Sequence, residues 1–116
     1  MDNWETPEWI MEMFKEWFDP CPLNDNPAYD GLKFNWKDKT YVNPPYSNPL
    51  PWVEKAIEES KKGKTIVMLL NVDTSTKWFA KLNEAGAHVL WFAERLKFSE
   101  SNASPRPSML VILSGK

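Results

Sequence analysis

Trp9, Ile10, Met13, Phe14, Trp17 and Phe18 recur at the i, i+3, i+4 spacing of one helical face, while Glu5, Glu8, Glu12 and Glu16 fall on the other side. Thr6-Pro7-Glu8 gives this helix its start: a capping hydroxyl, a proline at the first helical position and an acid in the first turn. Asp19-Pro20-Cys21-Pro22 ends it, because closely spaced prolines cannot continue a helix. Residues 23–39 show no sustained period and read as a loop-rich connection. Thr40-Tyr41-Val42 reads as a short strand cut off by Asn43-Pro44-Pro45. A second helix is expected from about Pro51 to Lys62, with Trp52, Val53, Ala56 and Ile57 inward and Gly63 as its stop. Thr65 to Leu70 is a nearly unbroken β-branched and apolar run, the pattern of a strand buried on both faces.

A third helix is expected over Ser75 to Ala85, ending at Gly86. Buried strands follow at His88 to Phe92 and Met109 to Leu113, with a short strand at Arg95 to Phe98 between them. Ser99 to Pro107 is the one polar, proline-containing stretch. Strands alternating with helices predict an α/β fold: a mostly parallel sheet with helices on both faces.

Composition narrows this picture. At 116 residues the chain is expected to be one domain, 1–116, and its seven Trp imply a small core filled by few large side chains. One Cys excludes an internal disulfide framework and a Cys-rich zinc site, so no metal is expected. His88 has no Cys or second His as partner and reads as structural. The apolar runs Ile66 to Leu70 and Val89 to Ala93 are too short to span a bilayer, and no membrane partner is expected. Met-Asp-Asn-Trp-Glu lacks the basic and apolar regions of a secretory signal. A cytoplasmic protein is the expectation.

The net charge of −2 conceals a gradient. Residues 1–58 carry eleven Asp/Glu against five Lys, and residues 59–116 carry nine Lys/Arg against five Asp/Glu. A basic second half could face a polyanion, although charge alone favours an ordinary solvated surface.

Asn43-Pro44-Pro45-Tyr46 is the strongest chemical signal. Its plain reading is a rigid turn after a strand. Its functional reading starts from the backbone: Pro44 restricts Asn43 to an extended conformation, and Pro45 does the same to Pro44. Neither proline offers a competing N–H. The Asn43 side-chain oxygen and the Pro44 carbonyl then form two fixed acceptors beside the aromatic face of Tyr46. That set suits an exocyclic amino group on a planar ring, and strand ends of this kind are where ligands bind in open α/β sheets.

Asn-Pro-Pro-Tyr resembles the catalytic motif of amino-methyltransferases. Trp4-x-Thr6-Pro7, Asp19-Pro20-Cys21, Asp30-x-Leu32 with Trp36, Tyr41 to Ser47, and Trp52-Val53 with Lys55-Ala56 are similar to the phage-type DNA N-6-adenine methyltransferase (Dam-like) family. So are Trp78-Phe79, Arg95-Leu96-Lys97-Phe98 and Pro107-Ser108-x-Leu110-Val111. The resemblance runs through nearly the whole chain in order. It implies a compact Rossmann-like methyltransferase fold, S-adenosylmethionine as methyl donor and DNA as partner. It implies catalytic roles for Asn43, Pro44, Pro45 and Tyr46, with Tyr46 stacking a base flipped from the duplex. It assigns Thr6, Pro7, Asp19, Cys21 and Asp30 to the cofactor: Thr6-Pro7 toward its carboxylate, Asp19 toward its ammonium group, Asp30 toward its ribose. Ser47, Arg95, Lys97 and Arg106 fall to the DNA.

Two features depart from larger adenine methyltransferases. Asp19-Pro20 is followed by Cys21-Pro22-Leu23-Asn24 instead of a glycine-rich turn, and the four glycines stand at 31, 63, 86 and 115. Only about 24 residues separate Asp19 from Asn43, which is short for an adenosine-binding half. Two other readings therefore stand: a non-catalytic DNA- or cofactor-binding remnant, and a protein-glutamine N-methyltransferase. A domain this small could also complete its cleft as a homo-oligomer.

Overall fold

The computed structural model describes residues 8–21, 30–45, 48–73, 76–91 and 108–115. Within them the chain forms α1 (Glu8–Met13), β1 (Lys39–Val42), α2 (Leu50–Ser60), β2 (Thr65–Asn71), α3 (Lys77–Glu84), β3 (His88–Trp91) and β4 (Ser108–Ser114). The four strands make one sheet in the order β1-β2-β4-β3.

The expectation of a mostly parallel sheet is corrected here. β1 pairs with β2 in parallel, but β4 is antiparallel to both β2 and β3, so the described sheet is mixed and mostly antiparallel. The cause is a single insertion. β4 enters reversed between β2 and β3, and this one reversal turns two of its ladders antiparallel while β1, β2 and β3 still share one direction.

Helices cover both faces. Strand alternation sends Val42, Ile66, Met68, Leu70, Met109, Val111 and Leu113 to one side, where Trp52, Val53 and Ala56 of α2 and Trp78 and Leu82 of α3 meet them. Tyr41, Val67, Leu69 and Leu110 point to the other side, against Ile10 of α1. β2 is buried from Ile66 to Leu70 on both faces, as its unbroken apolar run predicts. β3 is not the buried strand expected: Leu90 and Trp91 are more than half exposed. Among the described residues β3 pairs only with β4, so it lies at an edge.

Local signals set the helix ends. Thr76 caps α3, its hydroxyl accepting from the Phe79 N–H at 3.3 Å. Gly63 and Gly86, which follow α2 and α3, have φ of +96° and +76°, values that only glycine adopts without strain. α1 is shorter than its apolar period suggests. Only Ile10 is fully buried on it, while Trp9, Met11 and Met13 are about half exposed. Phe18 lies outside the helix and pairs with Thr40: its N–H donates to Lys39 at 3.0 Å, and its carbonyl accepts from Tyr41 at 2.8 Å. The exposed backbone edge of β1 is the competitor that wins, because unpaired strand groups need partners. The start at Thr6-Pro7, the strand at Arg95 to Phe98 and the stretch Ser99 to Pro107 lie outside the described residues.

Candidate functional site

β1, β2 and β3 end at the same edge of the sheet, and β1 delivers the Asn-Pro-Pro turn there. Asn43 and Pro45 are half-buried and Pro44 is buried directly beyond Val42. The Pro45 carbonyl accepts from the Asn48 N–H at 3.3 Å, and Pro49 caps α2, so the start of α2 is held against the end of the Asn-Pro-Pro turn. All described peptide bonds are trans.

The Phe18 pairing carries a second candidate to the same edge. Phe18 runs parallel to β1 on the side away from β2, so Asp19 leaves the pairing next to the end of β1. Its Oδ1 accepts from the Cys21 N–H at 2.9 Å, an Asx turn that fixes the carboxylate locally. Burial pushes the Asp19 pKa above its ordinary value, against the lowering effect of the Cys21 N–H. A carboxylate in that state favours a cationic partner.

Gly31 brings in the third. A Cβ at Gly31 would collide with the carbonyl oxygen of Pro20, so the absence of a side chain lets the 30–32 turn close onto Asp19-Pro20. Asp30 thereby comes into the neighbourhood of Asp19, although its Oδ1 already accepts from the Leu32 N–H at 2.9 Å. The Trp36 indole N–H donates to the Gly31 carbonyl at 2.8 Å and pins the turn from below. Cys21 packs partly against the core, and burial, with the Asp19 charge second, pushes its thiol up to about 12. A thiol held protonated in this way packs there as a small apolar group.

Asn43, Pro44, Pro45, Asp19, Cys21 and Asp30 are thus all placed at one end of the sheet. Thr6, Pro7, Tyr46, Ser47, Arg95, Lys97 and Arg106 lie outside the described residues. Among the described residues no group of three or more His, Cys, Asp or Glu is placed to hold a metal ion. No described helix is long and apolar enough to cross a membrane.

Two sets of residues take their role only from the tertiary structure. Gly31 and Trp36 hold the acidic turn in place; the resemblance marks Trp36 beside Asp30-x-Leu32 but leaves Gly31 as its unspecified position. Asn71 and Ser108, the last residue of β2 and the first of β4, are register partners at the same edge. Ser108 belongs to the Pro107-Ser108-x-Leu110-Val111 stretch, but two strand ends of ordinary polar type give the sequence no sign that they are partners.

Relatives of this chain carry one description. A model of the family DNA N-6-adenine-methyltransferase (Dam) matches residues 1–115. A DNA N-6-adenine-methyltransferase of Haemophilus phage HP1 (strain HP1c1) is 34% identical, over 99% of this chain and 80% of that protein. A second protein of the same description, from Escherichia phage T1, is 38% identical over 73% of this chain and 37% of its own length.

Proposed function

Because the chain belongs to the DNA N-6-adenine-methyltransferase (Dam) family, we propose that it transfers a methyl group from S-adenosylmethionine to the exocyclic amino nitrogen of adenine in DNA. The observation that carries the reading is the convergence of Asn43-Pro44-Pro45 and Asp19 on one strand edge, by way of the Phe18–Thr40 pairing. Both relatives are described as acting on DNA, which favours a base over a protein amide as acceptor. The sheet supports a Rossmann-like core, with β1, β2 and β3 pointing to the edge where ligands bind in such folds. In this reading residues 1–116 act as a single methyltransferase-like domain.

The residues at this edge suit the donor. Asp19, poorly solvated and held by the Cys21 N–H, would bind its ammonium group, and Asp30 would take its ribose hydroxyls, with Thr6-Pro7 toward its carboxylate. When bound, S-adenosylmethionine supplies an electrophilic methyl group on a sulfonium centre. Asn43 and the Pro44 carbonyl accept the two amino hydrogens of adenine. This draws the nitrogen lone pair out of ring conjugation and opposes the positive charge that develops on the nitrogen. Tyr46 stacks the flipped ring, and Ser47, Arg95, Lys97 and Arg106 contact the strand around it. Fixing the nitrogen in line with the methyl group supplies much of the remaining acceleration.

The test is direct. Purified protein, S-adenosylmethionine and duplex DNA should yield N6-methyladenine by mass spectrometry, while a glutamine-containing peptide stays unmodified. Methylated peptide with unmodified DNA would replace the DNA reading by the protein-glutamine one. No product on either leaves a binding remnant.

A further inference from the structure

Four polar or charged residues are buried in the described core: Thr40, Glu59, Ser60 and Ser108. Three have their hydrogen bonds. Thr40 donates to the Lys37 carbonyl, Ser60 donates to the Ile57 carbonyl, and Glu59 accepts from the Trp36 N–H and the Lys64 ammonium. Ser108 is different. It is 1% exposed, and its Oγ has no hydrogen-bond partner among the described residues. Directly across the ladder the Asn71 Oδ1 is buried and also without a partner. Each such orphan carries the uncompensated desolvation penalty of its group, and native proteins keep few of them. Two side by side, at the edge that carries Asn43, mark a place built for a ligand.

Their position says which ligand. Alternation puts Asn71 and Ser108 on the sheet face of Tyr41, Leu69 and Leu110. Val42 pairs with Met68, so Asn43 stands level with Leu69, and Asn71 lies one side-chain repeat farther along the neighbouring strand. Asp19 flanks β1 on the opposite side, through the Phe18 pairing. Asn43 therefore stands between two polar groups: the acidic turn proposed for the donor, and the Asn71–Ser108 pair on the side left for the base.

We propose that Asn71 and Ser108 read the ring edge of the flipped adenine next to its amino group, an inference that rests on the adenine-methyltransferase reading above. Ser108, fully buried, is the positioning residue: its hydroxyl donates to Asn71 Oδ1 once the base is bound. Asn71, half-buried, is the contact residue: its Nδ2 donates to ring nitrogen N1. One rearrangement satisfies both orphans and adds a bond to the substrate. N1 is an acceptor in adenine, whereas guanine and hypoxanthine carry an N–H there, so the contact selects the base as well as holding it.

The test compares DNA carrying adenine, at a position first mapped by sequencing, with DNA carrying 1-deazaadenine at the same position. The unaltered protein should lose about 10–100-fold in kcat/KM on the deaza substrate, the loss of one hydrogen bond in a buried site. Asn71→Asp, which keeps the shape but removes the donor, should fall by a similar factor on adenine and no longer distinguish the two substrates. Ser108→Ala should lose part of the discrimination, and Ser108→Thr, which keeps the hydroxyl, should restore it. Binding of S-adenosylmethionine, followed by calorimetry, should be unchanged in all three variants. If Asn71→Asp and Ser108→Ala discriminate as strongly as the unaltered protein, the pair is structural and the proposal is overturned, whatever their melting temperatures. An unaltered protein that methylates no adenine overturns the enzyme reading itself and takes this one with it.

Discussion

The two ends of the sheet treat buried polar groups in opposite ways. Where β1 and β2 begin, Glu59 is fully buried, yet its carboxylate is surrounded by donors. The Trp36 N–H reaches it at 2.5 Å, and the Lys62 and Lys64 ammonium groups each reach it at 3.1 Å. Burial alone would raise its pKa; the Trp36 N–H and the two lysines outweigh that and hold the carboxyl down at about 2. Lys64 also donates to the Trp36 carbonyl at 2.6 Å, and Thr65 N–H donates to Asp38 at 2.8 Å, so α2 and the lead-ins to β1 and β2 are tied together. Where the strands end, burial wins instead. The Asp19 pKa is raised, and Asn71 Oδ1 and Ser108 Oγ stay without partners. One end uses its polar groups for cohesion; the other leaves them poorly solvated or without partners, as the proposed binding of substrate and donor requires.

This contrast can be broken by substitution. The largest effect is expected from Asn43→Ala, which removes a fixed acceptor from the developing charge and should lower kcat by about 10²–10³. Its melting temperature and S-adenosylmethionine affinity should stay close to those of the unaltered protein. Retained adenine methylation would move the active site away from this motif.

Glu59→Gln should do the reverse. Removing the charge leaves Lys64 beside a buried neutral amide and should destabilise the fold by about 3 kcal/mol in urea unfolding. Activity per folded molecule should be kept. The same group sets an acid limit. Because its folded pKa lies below the ordinary value of 4.5, its contribution is complete above 4.5 and is lost as pH falls toward about 2. Urea midpoints measured across that interval should drop for the unaltered protein and less steeply for Glu59→Gln. Equal slopes would mean that the cluster is not responsible.

Asp19→Asn sharpens the comparison with the smallest effect. A carboxylate whose folded pKa is raised costs stability when ionised, so the neutral amide should leave the melting temperature unchanged or slightly higher. S-adenosylmethionine affinity should fall by about tenfold through loss of a charge-assisted bond. A large drop in melting temperature with intact affinity would place Asp19 among the cohesive groups.

Glu59 shows where sequence reading falls short. Glu58-Glu59 looks like a solvated pair on a helix, yet Glu59 follows Trp52 and Ala56 on the i, i+4, i+7 stripe that faces the core. That stripe was legible; the donors that make burial tolerable were not, because Trp36 and Lys64 reach Glu59 from other segments. At the other end, Asn43-Pro44-Pro45 was legible because proline chemistry is local. Gly31 against Pro20, and Asn71 against Ser108, were not.

The sequence by itself determined where α2, α3 and the strands β1, β2 and β4 form, where Gly63 and Gly86 stop the two helices, and which turn follows β1, since period, capping and φ restriction act within a few residues. Only the tertiary structure decided that β4 enters reversed between β2 and β3, that Phe18 leaves its helical period to pair with Thr40, and that Asp19 and Asn43 therefore share an edge. Strand partners are chosen by hydrogen-bond completion and face-to-face burial between distant segments, and no local pattern encodes that choice.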